Sequence, residues 1–489
     1  RDHSCSMFDS ESEAFLAWLT AGGAWINPKV TLFHEFQDGT GRGCLANADL
    51  AVGERLLAVP EALCLGPEGD DAISGVLKGR SLSSSMIVVL RLMRELSRGS
   101  SSIFAAYCDV MKRGVPDTPA FWTAEELKEL NGTSAAVEDA DELVQGYNTT
   151  ILPLLEQADP KEEIWPKACR TLDGYRIAAT LVTSRSFHAA AGGPFLVPAS
   201  DMLNHHPTQP TTSLVLETRG DARVFAMTTK VAVRKGQQVW NSYGESLVGK
   251  DYLHRYGFVP SGAATVCIPT IDVLNIVRAT TKTDSVDRRV EALRRAGVFP
   301  KEPQQDDTVS FIMSPEDLVP DTLLTAFQVG LMPTPMFEEY AQEPVVLGSC
   351  LDVEDNSFVD AVSGALRRLV DLQLSRYATT LREDAALLAS DLKGRRRLAV
   401  ELRVGEKRLL LECRAQLEDE ASDDGNSHHA GAVSGDEESE AASSEEEEEE
   451  EEQESTRRQR RRNKRRRGNA EAPRGGSGKR GRGKKGRRR

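Results

Sequence analysis

Two short polar segments constrain the fold of this sequence more than any other feature. The first, 201–207, has the sequence Asp-Met-Leu-Asn-His-His-Pro and follows a short apolar run that ends at Pro198. The second, 239–245, has the sequence Val-Trp-Asn-Ser-Tyr-Gly-Glu. An apolar run that passes into Asp-x-x-Asn-His is typical of a strand that ends in a tight polar turn. An isolated Asn-His is usually an Asx-turn, so the interpretation depends on the neighbouring motifs.

Three other motifs accompany these segments in a fixed order. A glycine-rich stretch at 39–46 leads into 53–60, Ser-Arg-Ser-Phe occupies 184–187, and Tyr-Gly-Phe occupies 256–258. The ordered set resembles the SET-domain methyltransferases, specifically the branch typified by the Rubisco large-subunit lysine methyltransferase. Each motif alone is weak, and a glycine cluster by itself usually marks a hairpin turn. The resemblance extends over about 39–258.

This resemblance implies S-adenosylmethionine as the methyl donor and Tyr243 as the catalytic residue. It implies donor contacts from the glycine stretch and the two following motifs, namely Thr40, Gly41, Arg42, Arg185, Asn204 and His205. It also implies that the substrate channel is lined by Asp201, Tyr256 and Phe258. Two departures from the family pattern, Ala189 in place of arginine and Gly249 in place of asparagine, leave the acceptor protein open.

The predicted fold class is α+β, with a β-rich, knotted SET domain and an all-α C-terminal domain. Segments 377–384 and 403–408 resemble the substrate-binding helical domain of the same family. The predicted parts begin with a docking helix at 1–29 and a SET domain at 30–259, which contains a helical insertion at about 67–183. A substrate-binding domain at 260–418 and an acidic-then-basic tail at 419–489 follow.

Local signals predict where several helices begin. Capping-box patterns predict helix starts at Ser10, Thr123 and Thr380. Ser314 followed by Pro315 predicts a further N-cap with proline at the first helical position. The aromatic residues of the insertion are predicted to be core residues, namely Phe104, Tyr107, Phe121 and Trp122.

Composition excludes several classes of protein. The 489 residues leave room for two or three domains. The eight cysteines form no Cys-x-x-Cys or Cys-x-Cys pair, which argues against a zinc cluster, and we expect no metal. Their scattered spacing fits a reducing compartment. No segment has the ~18 apolar residues of a membrane span. Separately, we expect the protein to be a monomer.

The net charge of −14 contains two opposite blocks near the C-terminus. From Glu418 onward there are 19 acidic and 18 basic residues, including an unbroken acidic run at 445–452 and a basic run at 457–467. Such a segment lacks the apolar residues of a core and is predicted to be disordered. Its basic blocks suit contact with RNA or an import receptor, although two solvated tails that partly pair with each other would show the same pattern. They favour a nuclear over a cytoplasmic location, and a plastid location stays open because the chain begins with Arg1.

Three functions remain open at this point. The first is methyl transfer from S-adenosylmethionine to a lysine of a non-histone protein. The second is the same scaffold acting on histidine, as one branch of the family does on actin. The third is a catalytically silent module that binds chromatin or ribosomes. Intact Asn204 and Tyr243 argue against the silent module, which could lose either residue freely.

Overall fold

The protein folds into antiparallel sheets and many helices, and a computed structural model describes most of it. The described residues are 3–37, 40–69, 71–137, 142–189, 192–220, 222–244, 247–260, 264–281, 286–302, 310–347 and 356–426. Gly39, Glu245 and the acidic and basic blocks of the tail lie outside them.

Most strands lie in the first half of the chain. They are β1 (Trp25–Ile26), β2 (Val30–Phe36), β3 (Gly41–Ala46), β4 (Arg55–Pro60), β5 (Ser186–Ala189), β6 (Gly192–Leu196), β7 (Thr212–Arg219), β8 (Ala222–Thr229), β9 (Gln238–Val239), β10 (Val266–Pro269) and β11 (Ser310–Met313). They form a sheet of order β1-β4-β8-β7, a sheet of order β2-β3-β9, and the pairs β5-β6 and β10-β11. Because Cys44 pairs with Val239 across β3 and β9, the glycine-rich strand lies beside the second polar segment.

Helices precede, interrupt and follow these sheets. They are α1 (His3–Ala21), α2 (Asp71–Leu77), α3 (Ser84–Arg98), α4 (Ala105–Arg113), α5 (Ala124–Lys128), α6 (Glu142–Gly146), α7 (Leu152–Ala158), α8 (Leu172–Arg185), α9 (Gly249–Asp251), α10 (Thr270–Thr280), α11 (Val286–Arg295), α12 (Asp321–Leu331), α13 (Thr334–Tyr340), α14 (Asn356–Ser375), α15 (Leu381–Ala389) and α16 (Gly394–Asn426). Single π-helical turns occur at Tyr147–Ile151 and Tyr252–Tyr256. The helices α2 to α8 occupy the stretch predicted as an insertion. No helix of the described part is both long and apolar enough to cross a membrane.

Side-chain caps explain where several of these helices begin. The Ser83 hydroxyl accepts the N–H of Met86 at the start of α3. The capping boxes predicted at Thr123 and Thr380 are both present, at the starts of α5 and α15. In each box a threonine and a glutamate satisfy backbone N–H groups that the first turn leaves unpaired.

The apolar side chains of the described residues gather in two main cores, a small core and a further cluster around Phe195 and Phe225. The first contains Phe15 of α1 and extends through the insertion helices to Val239 of β9. The second runs from Val266 of β10 to Leu417 of α16. The small core joins the insertion to α16 through Trp122, Leu127, Leu130, Ala135, Leu253, Ala399 and Leu402. Residues 1–425 together form one compact unit.

Two predicted helix starts are wrong. Helix α1 begins at His3, so Ser10 lies inside it; no glycine or proline among the preceding residues interrupts the helix. Ser314 and Asp317 instead close a turn after β11, with each backbone N–H bonded to the other residue's carbonyl at 3.0 Å. Proline suits the second position of a β-turn as well as the first turn of a helix, and α12 begins later, at Asp321.

The α+β class is confirmed, with two differences in the C-terminal part. The region predicted to be all-α also contains the two-stranded sheet β10-β11, in which Val266 pairs with Met313. Helix α16 continues to Asn426, beyond residue 419, where the tail was predicted to begin. Leu417 near this end is buried, so α16 is anchored on the second core up to that point.

Candidate active site

The two polar segments lie side by side in the structure. The N–H of Asn241 donates to the carbonyl of Asn204 at 2.7 Å, and the N–H of His206 donates to the carbonyl of Asn241 at 3.0 Å. These bonds form a parallel bridge between His205 and Asn241. The bridge brings His205 into contact with Tyr243, which is 38 positions later in the sequence. The Tyr243 N–H donates to Nδ1 of His205 at 3.0 Å.

The side chain of Asn204 connects this crossing to the glycine-rich strand. Its Nδ2 donates to the carbonyls of Thr40 and Arg42, at 3.2 and 2.9 Å, and to Oε1 of Gln238 at 3.1 Å. A Cβ on Gly43 would lie 2.8 Å from both Asn204 Nδ2 and Gln238 Oε1. Glycine is therefore required at position 43 because the amide group occupies the space of a side chain.

His205 is held as a neutral imidazole. Its Nδ1 accepts the Tyr243 N–H, so the ring proton lies on Nε2, which is 2.9 Å from the Tyr252 hydroxyl. Burial lowers the pKa of His205 to about 4. The ring is therefore uncharged at neutral pH and serves to orient the backbone of Tyr243.

Tyr243 lies between two other rings. Its ring stacks on His205 and on Tyr256, with centroid distances of 5.0 and 4.6 Å. Among the described residues, no group forms a hydrogen bond with its hydroxyl. Burial raises the pKa of Tyr243 to about 12, and burial also raises the pKa of Tyr256 to about 12. Both phenols are protonated at neutral pH.

Asp201 and Arg185 form a buried ion pair close to these rings. Nη1 of Arg185 lies 3.3 Å from Oδ2 of Asp201, and Nη2 donates to the carbonyl of Gly114 at 2.9 Å. The carboxylate is fully inaccessible to solvent. Burial raises the pKa of Asp201, opposed by Arg185 and by a hydrogen bond from Tyr107. Oδ1 of Asp201 and Nε of Arg185 are buried, and neither has a hydrogen-bond partner among the residues that the structure describes.

All but one of the predicted site residues line a single cavity of about 720 Å³. Its walls include Thr40, Arg42, Arg185, Asp201, Asn204, His205, Tyr243, Tyr256 and Phe258. Gly41 is not in the lining and begins β3 with a left-handed φ of 68°. The structure thus brings together residues from β3, the end of α8, both polar segments and the π-helical turn.

Several site residues were not predicted from sequence. Gln238 and Tyr252 hold Asn204 and His205 in place, and Trp240 lines the cavity. Tyr107 is a core aromatic, as predicted, but its hydroxyl also reaches Asp201 at 2.9 Å. Gln238 and Trp240 adjoin or belong to the second polar segment, which is the only sequence signal that points to them. Within the described ranges, no group of three or more His, Cys, Asp or Glu side chains could hold a metal ion.

Comparison with known proteins agrees with this geometry. The sequence model of the Rubisco LSMT substrate-binding family matches residues 281–410. The N-lysine methyltransferase setd6 of Xenopus laevis is 27% identical over an alignment of 438 residues that covers 81% of this chain and 93% of that protein. The chloroplastic [Fructose-bisphosphate aldolase]-lysine N-methyltransferase of Arabidopsis thaliana is 26% identical and covers 76% of each chain. The actin-histidine N-methyltransferase of Homo sapiens is a weaker match, 24% identical over 82% of this chain and 68% of that protein.

A solved structure shares the fold. The crystal structure of the SET domain of LSMT bound to lysine and AdoHcy superimposes with a TM-score of 0.64 and 21% identity, over 85% of this chain and 92% of that one. This chain therefore has the fold of a SET-domain protein methyltransferase, and its sequence is similar to N-lysine methyltransferases. In sequence it resembles the branch typified by the Rubisco large-subunit lysine methyltransferase, to which the matched substrate-binding family at 281–410 also points.

Proposed function

We propose that this protein is a protein-lysine N-methyltransferase that moves a methyl group from S-adenosylmethionine to a lysine side chain of a non-histone protein. The observation that carries this assignment is Tyr243, stacked between His205 and Tyr256 with its hydroxyl unbonded within the described part of the chain. The N-lysine methyltransferases among its relatives support lysine as the acceptor. The match to a Rubisco LSMT substrate-binding domain favours a non-histone substrate.

The chemistry of the cavity fits S-adenosylmethionine. This donor has an amino-acid end with both charges, an adenine ring and a sulfonium that carries an electrophilic methyl group. Two arginines, Arg42 and Arg185, line the cavity and suit a carboxylate. We assign donor binding to Thr40, Gly41, Arg42, Arg185, Asn204 and His205.

The rings of Tyr243, Tyr256 and Phe258 form the wall that we assign to the lysine side chain. Aromatic faces exclude water and attract a cationic or polarised amine. Because the pKa values of both tyrosines are near 12, neither accepts a proton at neutral pH. The amine therefore loses its proton to solvent before transfer, and the Tyr243 hydroxyl orients the neutral nitrogen and the methyl group by hydrogen bonding and dipole.

Our proposal for the tail rests on its sequence. The basic blocks after residue 456 suit RNA or an import receptor, and they favour a nuclear location. We further propose that the protein acts as a monomer. We also propose the domain boundaries 1–29, 30–259, 260–418 and 419–489. Because helix α16 ends at Asn426, the last boundary moves from 418 to 426.

The experiment that tests the function is transfer of a tritiated methyl group to proteins of a whole-cell extract. We expect a labelled protein whose modified residue is lysine when its peptides are sequenced by mass spectrometry. A label on histidine would show the alternative acceptor, and the absence of any label would contradict an enzymatic role.

The same assay tests the central residue. Tyr243→Phe removes one hydroxyl and keeps the ring between His205 and Tyr256. Turnover should fall by roughly 100-fold or more, the scale of losing one preorganised group, while calorimetry should show unchanged donor affinity. Tyr340→Phe is the matched control, because its hydroxyl lies in the C-terminal part and bonds the carbonyl of Val345, away from the cavity. If Tyr243→Phe transfers methyl groups at the parent rate, Tyr243 is only a wall residue.

A further inference from the structure

Strand β2 contains a β-bulge with an unusual backbone conformation. Thr31 pairs with Leu45 of β3 and His34 pairs with Gly43, so three steps along β2 match only two steps along β3. The bulge contains Phe33, whose φ of 62° lies in the left-handed region. A residue with a Cβ adopts this region only at a cost in free energy. The surrounding structure therefore has to hold Phe33 in this conformation.

The bulge places two consecutive side chains against the same core. In a regular strand, successive side chains point to opposite faces of the sheet. Here Leu32 is buried in the first core, and Phe33 packs against that core as well. The Phe33 ring makes an edge-to-face contact with Phe15 of α1 at a centroid distance of 5.8 Å. Unlike Leu32, Phe33 stays partly accessible and lines the cavity, so core packing explains only part of its position.

Phe33 lies beside residues that we assign to the methyl donor. The strand next to it, β3, contributes Arg42 and Gly43 to the lining of the same cavity. The side chain of Asn204 lies against Gly43 and also lines the cavity. These neighbours offer charged and polar groups to the donor. Its adenine ring and methylene groups need an apolar surface instead, as is usual in small-molecule sites.

We propose that Phe33 is a donor-binding residue, whose ring packs against an apolar part of bound S-adenosylmethionine. This inference rests on the proposed function, because it assumes that the methyl donor occupies this cavity. The bulge directs the ring into the cavity from the sheet β2-β3-β9, and Phe15 packs against the ring from the core side. A ring held in this way loses little conformational freedom when the donor binds. Bulges that aim a side chain at a site, and strained residues beside a ligand, serve this purpose in many proteins.

The test measures the affinity of the full chain for S-adenosylmethionine by calorimetry and compares it with the variants Phe33→Ala and Phe33→Gly. Loss of the ring should weaken binding by about tenfold in both variants, the scale of losing one aromatic contact with a ligand. Glycine adopts a φ of 62° without strain, whereas alanine does not. An equal loss in both variants therefore assigns the effect to the ring. A loss confined to Phe33→Ala would assign it to a rearranged bulge and overturn the proposal. Thermal melting shows that each variant is folded before it is titrated.

Phe15→Leu is the matched control. It removes the ring that Phe33 contacts, but Phe15 is fully buried and does not line the cavity. This variant should melt at a lower temperature yet bind S-adenosylmethionine within about twofold of the parent, since the contacts that we assign to the donor remain. Parent-like affinity in both Phe33 variants, or an equal loss of affinity in Phe15→Leu, overturns the role of Phe33 and leaves the proposed function standing. A parent that does not bind S-adenosylmethionine overturns both.

Discussion

At the scale of single residues, the side of the cavity that we propose to bind the methyl donor depends on one amide group. Asn204 bonds two carbonyls of the glycine-rich strand and the side chain of Gln238. Gln238 in turn donates to the hydroxyl of Thr40 at 3.1 Å. Three chain segments far apart in sequence are therefore connected through a single side chain. Position 43 requires glycine because a side chain there would collide with this amide group.

Asn204→Ala should weaken both stability and donor binding. The change leaves the carbonyls of Thr40 and Arg42 and the Gln238 side chain without this donor, at a cost of about 1–3 kcal/mol. Thermal melting and calorimetry with S-adenosylmethionine measure the two effects. Asn47→Ala is the control, because the side chain of exposed Asn47 bonds only the hydroxyl of Thr31 within the described part of the chain. Equal melting temperatures for the two variants would show that the hydrogen bonds of Asn204 stabilise the fold no more than the exposed bond of Asn47 does.

At the scale of secondary-structure elements, α16 joins the C-terminal helices to the insertion through buried charges. Asp384 of α15 is fully inaccessible and pairs with Arg403 at 3.0 Å and with Lys407. Arg403 also bonds Oε2 of Glu129 at 3.0 Å. These donors lower the pKa of Asp384 against the opposing effect of burial. The cluster therefore keeps its charges because each is paired.

Asp384→Ala should destabilise the fold by about 3–5 kcal/mol, because buried Lys407 loses this carboxylate and buried Arg403 keeps Glu129 alone. Chemical denaturation measures the free energy of unfolding. Glu338→Ala is the control, since it breaks the exposed Arg288–Glu338 pair, and such pairs contribute about 1 kcal/mol or less. A similar loss of unfolding free energy in both variants would mean that the buried cluster stabilises the fold no more than an exposed ion pair does.

Glu406 of α16 should make stability depend on pH. Its carboxylate is buried and accepts the Tyr377 hydroxyl at 2.7 Å and the Ser134 N–H at 3.0 Å. Burial nevertheless raises its pKa from 4.5 to about 7. A carboxyl with a raised pKa binds its proton more tightly in the folded chain than in the unfolded chain. Stability from this group is complete at low pH and is lost as pH rises from about 4.5 to about 7.

Glu406→Gln should remove this part of the pH dependence, which is on the order of 3 kcal/mol across the window. Unfolding free energies measured at several pH values between these limits give the slope. Glu412→Gln changes an exposed residue of the same helix and should retain the parent's slope. An unchanged slope in Glu406→Gln would place the titration elsewhere.

At the scale of the whole molecule, the cores explain which parts of the chain are needed for folding. The small core joins the insertion to α16, and Val259, which packs against it, also lines the cavity. The C-terminal helices therefore support one wall of the active site as well as their own core. The charged blocks after Asn426 contain few apolar residues that could join either core.

A chain that ends at Asn426 should melt at the same temperature as the full protein and bind S-adenosylmethionine equally well. Its affinity for a poly-uridine RNA should fall, and the steep salt dependence of that binding should disappear. A chain that ends at Lys393 is the control, because it lacks the buried residues Leu409, Leu410 and Leu417 and should not fold. A large drop in melting temperature for the chain that ends at Asn426 would show that the tail packs on the body.

The sequence by itself determined features that depend on neighbouring residues or on an ordered set of motifs. The capping boxes at Thr123 and Thr380 were predictable because threonine and glutamate three positions apart satisfy local N–H groups. The same local logic failed at Ser314, where the pattern suits a turn and a helix equally well. The motif order predicted the fold class. All the site residues that it indicated, except Gly41, line one cavity in the structure.

Only the tertiary structure decided which distant groups meet. Tyr107 and Asp201 are 94 positions apart, and neither residue type nor spacing shows that one hydroxyl bonds one carboxylate. Likewise, Glu406 of α16 meets Ser134 of the insertion across 272 positions. Local hydrogen bonds depend on backbone geometry over a few residues. Contacts of this kind depend on how helices and sheets pack, which fixes side-chain positions to within an ångström only after the cores have formed.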